Sequence, residues 1–178
     1  MQLYLKWAVF VAAAGILIRL IMFFAGISID PSMQWVQWIG TVIGLALVFL
    51  GVRERKMQDP SAFTFGTGWV TAFMICLLAG VISALWVFVD ASFIETDMID
   101  NARKMQEAAM IAQKMPADQM KQAKPMMDFF ISPSGFAIST VFMYLIGGAL
   151  VGLLIAPIVK AIGGNAGAEP QTPTAAGM

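Results

Sequence analysis

An uninterrupted apolar run from Trp69 to Val89 is the feature that most restricts how this chain can fold. Its 21 residues, in a helix that rises about 1.5 Å per residue, reach roughly 30 Å, the thickness of the hydrocarbon core of a bilayer. No charged residue interrupts the run, and Thr71, Cys76 and Ser83 do not form the polar face that a soluble helix of this length needs. The run therefore predicts a membrane-spanning helix.

The composition of the whole chain agrees with that prediction. Of its 178 residues, 59% are hydrophobic and 12% are charged, whereas soluble domains have about 25% charged residues. The formal net charge is zero, so we do not expect a nucleic acid as a partner. The expected partner is the lipid bilayer. We expect an integral membrane protein with a single domain.

Residues that are absent exclude several kinds of site. The chain has no histidine and one cysteine, Cys76, so no Ser-His-Asp triad, zinc protease site or bis-histidine haem can form. Methionine thioethers can bind Cu(I), but Met105, Met110 and Met115 recur every five residues, which scatters them around a helix. We expect no catalytic residue, no cofactor and no metal site, and we do not expect an enzyme.

Three further apolar runs predict an all-α, polytopic membrane fold with four transmembrane helices. In the first run, the three residues Ala12 to Ala14 resemble a signal-peptide cleavage site. The apolar run continues beyond Ala14, so we expect an uncleaved first span. Ser132 and Pro133 predict an N-cap and the start of the fourth helix. A tail rich in Gly, Ala, Pro and Thr is predicted to be disordered. The spans are at about 7–27, 35–52, 69–89 and 136–159, within a membrane domain at 1–162, and the tail is 163–178.

One large polar segment, at about 95–131, lies between the third and fourth predicted spans. Acidic residues precede basic ones in it, which complements a helix dipole, and Pro116 separates two helical patterns. The segment therefore predicts an amphipathic helical hairpin. A narrow apolar stripe on its first helix is a candidate face for a partner. The stripe consists of Met98, Ala102, Met105 and Ala109.

Arg19, inside the first span, and Asp90, at the end of the third, form a candidate charge pair. An arginine at that depth costs a few kcal/mol on insertion scales, so it faces a partner, a cavity or the interface. Both residues belong to the same end of a four-span bundle, and we expect them to approach each other directly or through water. The alternative is that Arg19 snorkels to the membrane surface.

Small residues spaced four apart predict where the spans pack closely, because close backbone approach drives helix association in lipid. A face that is not used inside the bundle is available for a homodimer. The pairs are Gly40 and Gly44, Gly80 and Ala84, and Gly148 and Gly152.

The distribution of basic residues predicts the orientation. With four spans, both termini and the second loop share one side, while the short first loop at 28–32 carries no basic residue. The positive-inside rule then predicts cytoplasmic N- and C-termini. The basic residues on that side are Lys6, Arg53, Arg55, Lys56 and Lys160.

Several short motifs occur in the order of a known family: Arg53-Glu54-Arg55-Lys56, Phe65-Gly66-Thr67-Gly68 before the third span, Phe93-Ile94, and a turn at Met115-Pro116-Ala117-Asp118. This order resembles a Bacteroidota four-span membrane family catalogued as domain of unknown function 4199. The likeness covers roughly Met1 to Lys160 and implies a fold and a host lineage, but no activity. The chain lacks the proline that the family pattern has shortly after Phe93, so we expect the hairpin to begin as a straighter continuation of the third span.

Two classes of function remain. The first is a non-catalytic accessory, scaffold or assembly subunit that acts through its polar hairpin on a membrane protein or on a second copy of the chain. The alternative is a small oligomeric transporter or channel that uses Arg19 and Asp90. Polar residues within the spans are too scattered to form a stripe along one helix face, which favours the first class.

Overall fold

The computed structural model describes residues 1–26, 35–113 and 116–162, apart from six side chains within the helices. This part of the chain contains α-helices and one π-helical turn and no β-strand, which confirms the all-α prediction for it. The predicted disordered tail at 163–178 lies outside the described residues. The elements are α1 (Gln2–Phe24), α2 (Trp35–Gln58), α3 (Phe65–Val89), the π-turn (Asp90–Ile94), α4 (Asp97–Ala112), α5 (Ala117–Phe130) and α6 (Pro133–Ile162).

Polar caps set the starts of α3 and α6. The backbone N–H of Thr67 donates to Thr64 Oγ1 at 3.2 Å, and the N–H of Gly135 donates to Ser132 Oγ at 3.0 Å. The second cap is the one that Ser132 and Pro133 predict. Both helices extend beyond the apolar runs at 69–89 and 136–159, because hydropathy marks the length suited to lipid whereas caps mark where the backbone becomes helical.

Four long helices, α1, α2, α3 and α6, form a bundle in which successive helices alternate in direction. Near the start of α1, Lys6 Nζ lies 2.8 Å from Glu54 Oε2 near the end of α2. Lys56, two residues later, donates to the Val159 carbonyl in the last turns of α6 at 2.9 Å. Arg19, late in α1, instead contacts Asp90 just after α3. We call these two ends of the bundle the Lys6 end and the Arg19 end.

Three of the described helices are long and apolar enough to cross a membrane: Gln2–Phe24, Phe65–Ile94 and Pro133–Ile162. The prediction of four spans therefore exceeds what the described residues support, and α2 is the exception. It is the least apolar of the four long helices, and four charged residues, Arg53 to Lys56, lie in its last turns. Three such helices are consistent with a polytopic membrane protein.

The core of the bundle is centred on α3, whose Ala72, Ile75 and Ala79 have no exposed surface. The most extensive helix contact is that between α3 and α6. The outer face of α6 is apolar and exposed, with Phe142 at 60% and Met143 at 72% exposure. An apolar exterior around a core of small residues is typical of helices that pack in lipid.

The predicted close packing is present between α3 and α6. A Cβ atom added at Gly80 would lie 2.6 Å from Tyr144 Cβ, and one at Gly148 would lie 2.6 Å from Cys76 Cβ. At Gly152 the nearest atom, in Trp69, is 2.9 Å away. Ala84, the partner of Gly80 in the predicted pair, is buried.

The predicted packing face at Gly40 and Gly44 is not a close helix contact. A Cβ atom at Gly44 would meet nothing within 4 Å, and one at Gly40 would meet only the flexible end of Ile18 at 3.2 Å. The close approach of α2 is at Gly51, where a Cβ atom would lie 2.6 Å from Ile75 Cδ1. The first half of α2 stands apart from α6, so Gly40 and Gly44 line a cleft instead.

Candidate functional site

A cluster of three ionised side chains lies at the Arg19 end of the bundle. Arg19 Nε donates to Asp90 Oδ2 at 3.2 Å, and Arg19 Nη2 donates to Glu95 Oε2. The side chains of Asp90 and Glu95 are each only 6% exposed, while that of Arg19 is 32% exposed. The structure thus brings the predicted pair together and adds Glu95 as a third member.

The π-turn explains how Asp90 and Glu95 reach the same arginine. The backbone N–H of Glu95 donates to the carbonyl of Asp90, five residues earlier, at 2.8 Å. In a regular α-helix, residues five apart point about 140° away from each other, whereas the wider π-turn brings them towards the same side. Sequence reasoning missed Glu95 because α-helical spacing places it away from Asp90. The one sequence signal for Glu95 is that it is an acidic residue soon after the third predicted span.

The π-turn also bears on the expected continuation of α3. The helix continues past Val89 to Ile94, as expected, but with π geometry rather than as a straight α-helix. At Glu95 the backbone leaves helical geometry, with φ −114° and ψ 60°. The cluster therefore fixes the residue at which the chain leaves α3 and turns towards α4.

Two clefts border Arg19. The smaller, of about 390 Å³, is lined by Arg19, Asp90, Ser83 and Tyr144 among others, and Ser83 Oγ donates to Tyr144 Oη at 3.4 Å. The larger, of about 550 Å³, lies between α1, α2 and α6, and most of its walls are apolar. Arg19 and Tyr144 belong to both. The smaller cleft therefore places polar groups from three helices beside the ion pairs.

Neither cleft continues as a polar path to the Lys6 end within the described chain. Val48, Val52 and Ile75 fill the space between the helices and are at most 2% exposed. Trp69 Nε1 donates to the Ala149 carbonyl at 3.0 Å, which ties α3 to α6 across the same region. Apolar packing thus separates the polar groups of the smaller cleft from the Lys6 end.

The apolar stripe predicted on α4 is not the side that α4 buries. Met105 is 66% exposed, Ala109 is exposed, Ala102 is half-buried, and the side chain of Met98 lies outside the description. Met110 is buried, at 6% exposure. Met110 points about 140° away from Met105 around the helix, so the side of α4 that buries Met110 differs from the side that exposes Met105.

Helix α5 adds further exposed apolar side chains, and Arg103 Nε of α4 lies 3.7 Å from Asp128 Oδ1 of α5. Exposure is 68% for Met126, 52% for Phe129 and 48% for Phe130. We use the name α4–α5 apolar surface for five exposed apolar side chains of these two helices: Met105, Ala109, Met126, Phe129 and Phe130.

The residues that the structure describes contain no group of three or more His, Cys, Asp or Glu side chains that could hold a metal. In the charge cluster, both carboxylates are directed at one guanidinium, which is a structural ion-pair arrangement. What the cluster can do chemically is hold α1, the end of α3 and the start of the polar segment in one geometry.

The sequence model of one protein family matches residues 6–161 of the chain. The chain belongs to this family. Its description is "Protein of unknown function (DUF4199)". The DUF4199 match includes the charge cluster, both clefts and the α4–α5 apolar surface. No curated protein and no solved structure matches the chain.

Proposed function

We propose that this DUF4199 protein is a non-catalytic accessory, scaffold or assembly subunit, and that α4 and α5 act as a helical hairpin which recognises its partner. The observation that carries this proposal is the exposed α4–α5 apolar surface. Met105 and Met126 are each about two-thirds exposed, at 66% and 68%, on the polar segment of the chain. Outside lipid, large exposed apolar side chains on one region mark an interaction site.

The charge cluster gives that surface a fixed base. Arg19 belongs to α1, whereas Asp90 and Glu95 bracket the π-turn that leads out of α3. Separating a buried charge from its partner is strongly unfavourable, so the cluster resists movement of the chain at this point. A hairpin that starts from a rigid base presents its surface in a defined direction.

The composition of the surface favours a protein partner, either another membrane protein or a second copy of the chain. Methionine side chains are flexible and polarisable and adapt to the shape of a partner. Methionine and aromatic residues are enriched at the centres of protein interfaces, which have polar rims. Arg103 and Asp128, each about half exposed, supply charged groups of the kind found at such a rim.

We place the protein in a bacterial inner membrane with both termini in the cytoplasm, and its host lineage in the Bacteroidota. Lys6, Arg53, Arg55, Lys56 and Lys160 all belong to helix segments that meet at the Lys6 end, which supports this orientation. The lineage rests on the resemblance of the sequence motifs. A reporter that is active only in the cytoplasm should be active when it is fused at Gly163. Activity there of a reporter that works only outside the cytoplasm would contradict this orientation.

The hairpin proposal is tested by replacing residues 97–128 with a short Gly/Ser linker and purifying both forms in mild detergent. Unchanged helical content of the bundle and a single elution peak show that the shortened form is folded. We expect co-purifying membrane proteins, or a second copy, to be lost from it. A folded variant that retains every partner would show that α4 and α5 are not the recognition element.

A photo-crosslinking residue at position 105, with the buried position 110 as its matched control, identifies what covers the surface. We expect crosslinks to protein from position 105 and few from position 110. If position 105 crosslinks to lipid alone, the α4–α5 apolar surface contacts the membrane surface and not a protein partner.

The cleft of about 390 Å³ favours a second candidate, a small oligomeric transporter or channel. Arg19, Asp90, Ser83 and Tyr144 supply polar groups there for a solute. Because Val48, Val52 and Ile75 fill the interior between the helices, a path would have to run between copies of the chain. Solute flux into vesicles that hold the wild type, lost in the Arg19→Leu variant, would support this candidate over the scaffold.

A further inference from the structure

A cleft of about 330 Å³ opens at the Lys6 end, between the last turns of α2 and the end of α6. At about 30 Å³ per water molecule, it has room for roughly ten waters. It lies at the opposite end of the bundle from the charge cluster and takes no part in the function proposed above. Its walls combine two cations, Arg53 and Lys56, with the apolar side chains of Phe49, Met57, Val159 and Ile162.

The order of these residues along α2 separates the charges from the apolar wall. Phe49, Arg53 and Lys56 are four and three residues apart, so they share one face of the helix. Phe49 lies about one turn further from the end of α2 than Arg53 does, towards the middle of the bundle. The aromatic side chain of Phe49 therefore lines the cleft nearer the middle of the bundle than the two cations do.

The carboxylates nearest in sequence to the cleft are engaged elsewhere. Glu54 accepts from Lys6 Nζ at 2.8 Å and from Trp7 Nε1 at 2.8 Å. Asp59 Oδ1 accepts from Ser61 Oγ at 3.0 Å and from the Ala62 N–H at 3.2 Å, which closes its own turn. These acidic groups are thus committed to the bundle and to the loop.

The two cations of the cleft have no carboxylate partner among the described residues. Lys56 Nζ is held by the carbonyls of Val159 at 2.9 Å and Lys160 at 3.0 Å. Those neutral acceptors orient the ammonium group without cancelling its charge. Arg53 is exposed and its guanidinium is available at the mouth of the cleft. The cleft therefore combines one cation held by carbonyl groups with one exposed cation.

We propose that this cleft binds the phosphate group of an anionic phospholipid, with Arg53 and Lys56 on the phosphate and one acyl chain along Phe49. A phospholipid has the same order of groups, since its phosphate lies at the surface and its chains run inward. Basic pockets between helices at the membrane surface suit anionic headgroups. A zwitterionic headgroup would bring its own cation next to Arg53, so an anionic lipid is preferred.

The test measures binding of phosphatidylglycerol and phosphatidylcholine to the full chain in detergent, by native mass spectrometry and by the lipid dependence of the melting temperature. We expect phosphatidylglycerol to bind more tightly. Arg53→Gln should weaken its binding about fivefold and leave phosphatidylcholine binding unchanged. Because Arg53 is exposed and makes no hydrogen bond among the described residues, this variant should keep the wild-type melting temperature in the absence of lipid.

Lys160→Gln is the matched control, because it removes one positive charge at the same end of the bundle without altering the walls of the cleft. We expect it to change phosphatidylglycerol binding less than twofold. Equal losses in Arg53→Gln and Lys160→Gln would show a diffuse surface charge effect and overturn the site. Equal binding of the two lipids would also overturn it. Competition by millimolar inorganic phosphate that displaces all phosphatidylglycerol would assign the cleft to free phosphate instead of lipid.

Discussion

Arg19 and Asp90 are 71 residues apart in sequence, yet Arg19 Nε lies 3.2 Å from Asp90 Oδ2. Together with Glu95, this contact joins α1 to the point where the chain leaves α3. An arginine inside an apolar helix thus contacts two carboxylates at and beyond the end of another helix.

Arg19→Leu should lower the stability of the protein by about 3 kcal/mol, because it leaves two buried carboxylates without this arginine. The melting temperature in detergent measures the loss. Arg103→Leu is the matched control, since its partner Asp128 lies at 3.7 Å and both side chains are about half exposed, at 44% and 46%. It should cost less than about 1 kcal/mol. Equal melting temperatures for Arg19→Leu and the wild type would favour snorkelling.

The charge cluster was partly predictable from the sequence. Arg19 and Asp90 were identifiable because an ionised residue near an apolar span needs a partner, and span directions put both at one end. Glu95 was not, because its approach depends on a five-residue backbone hydrogen bond to Asp90. Such a π-turn has no residue pattern of its own, so its geometry is visible only in the structure.

Gly147 and Gly148 are adjacent in α6 and give a direct test of helix packing. A Cβ atom at Gly148 would lie 2.6 Å from Cys76 Cβ, whereas one at Gly147 would meet nothing within 4 Å. Gly148→Ala should therefore cost about 1–3 kcal/mol through overpacking, and Gly147→Ala should change stability by less than about 1 kcal/mol. Thermal unfolding of the two variants side by side decides this, and equal losses would contradict the close α3–α6 contact.

The same contrast shows what small-residue spacing can and cannot predict. At Gly80 and Gly148 an added Cβ atom would lie 2.6 Å from an atom of the other helix, because α3 and α6 are long, apolar and antiparallel. The spacing at Gly40 and Gly44 does not mark such a contact, because α2 makes its close approach further along, at Gly51. A small residue permits contact between helices, but the paths of both helices decide whether contact occurs.

Glu54 makes the stability of the Lys6 end depend on pH. The hydrogen bond from Lys6 and then the one from Trp7 lower the pKa of Glu54 below its ordinary value. A group whose pKa is lower in the folded state stabilises the fold above its ordinary pKa, about 4.3 for glutamate. That stabilisation is lost as the pH falls through the lower, folded-state pKa.

The melting temperature of the wild type should therefore exceed that of Glu54→Gln at neutral pH, and the difference should shrink as the pH falls below about 4. Trp7 fluorescence follows the same transition, because its indole N–H donates to Glu54. A constant difference between the two proteins from pH 7 to pH 3 would contradict the role of the carboxylate charge.

Met105 and Met110 separate partner binding from stability on a single helix. Met110 is 6% exposed and Met105 is 66% exposed. Met110→Ala should lower the stability by about 2 kcal/mol because it removes buried apolar volume. Met105→Ala should change stability by less than about 0.5 kcal/mol.

For partner binding, we expect substitution of Met105 to have a larger effect than substitution of Met110. Met105→Glu places a charge on the α4–α5 apolar surface, so it should reduce recovery of a crosslinked partner about tenfold, the effect of about 1.4 kcal/mol, while the melting temperature stays unchanged. Met110→Ala, assayed below its own melting temperature, should retain the partner. If both variants lose the partner in proportion to their loss of stability, α4 contributes to folding and does not form the recognition surface.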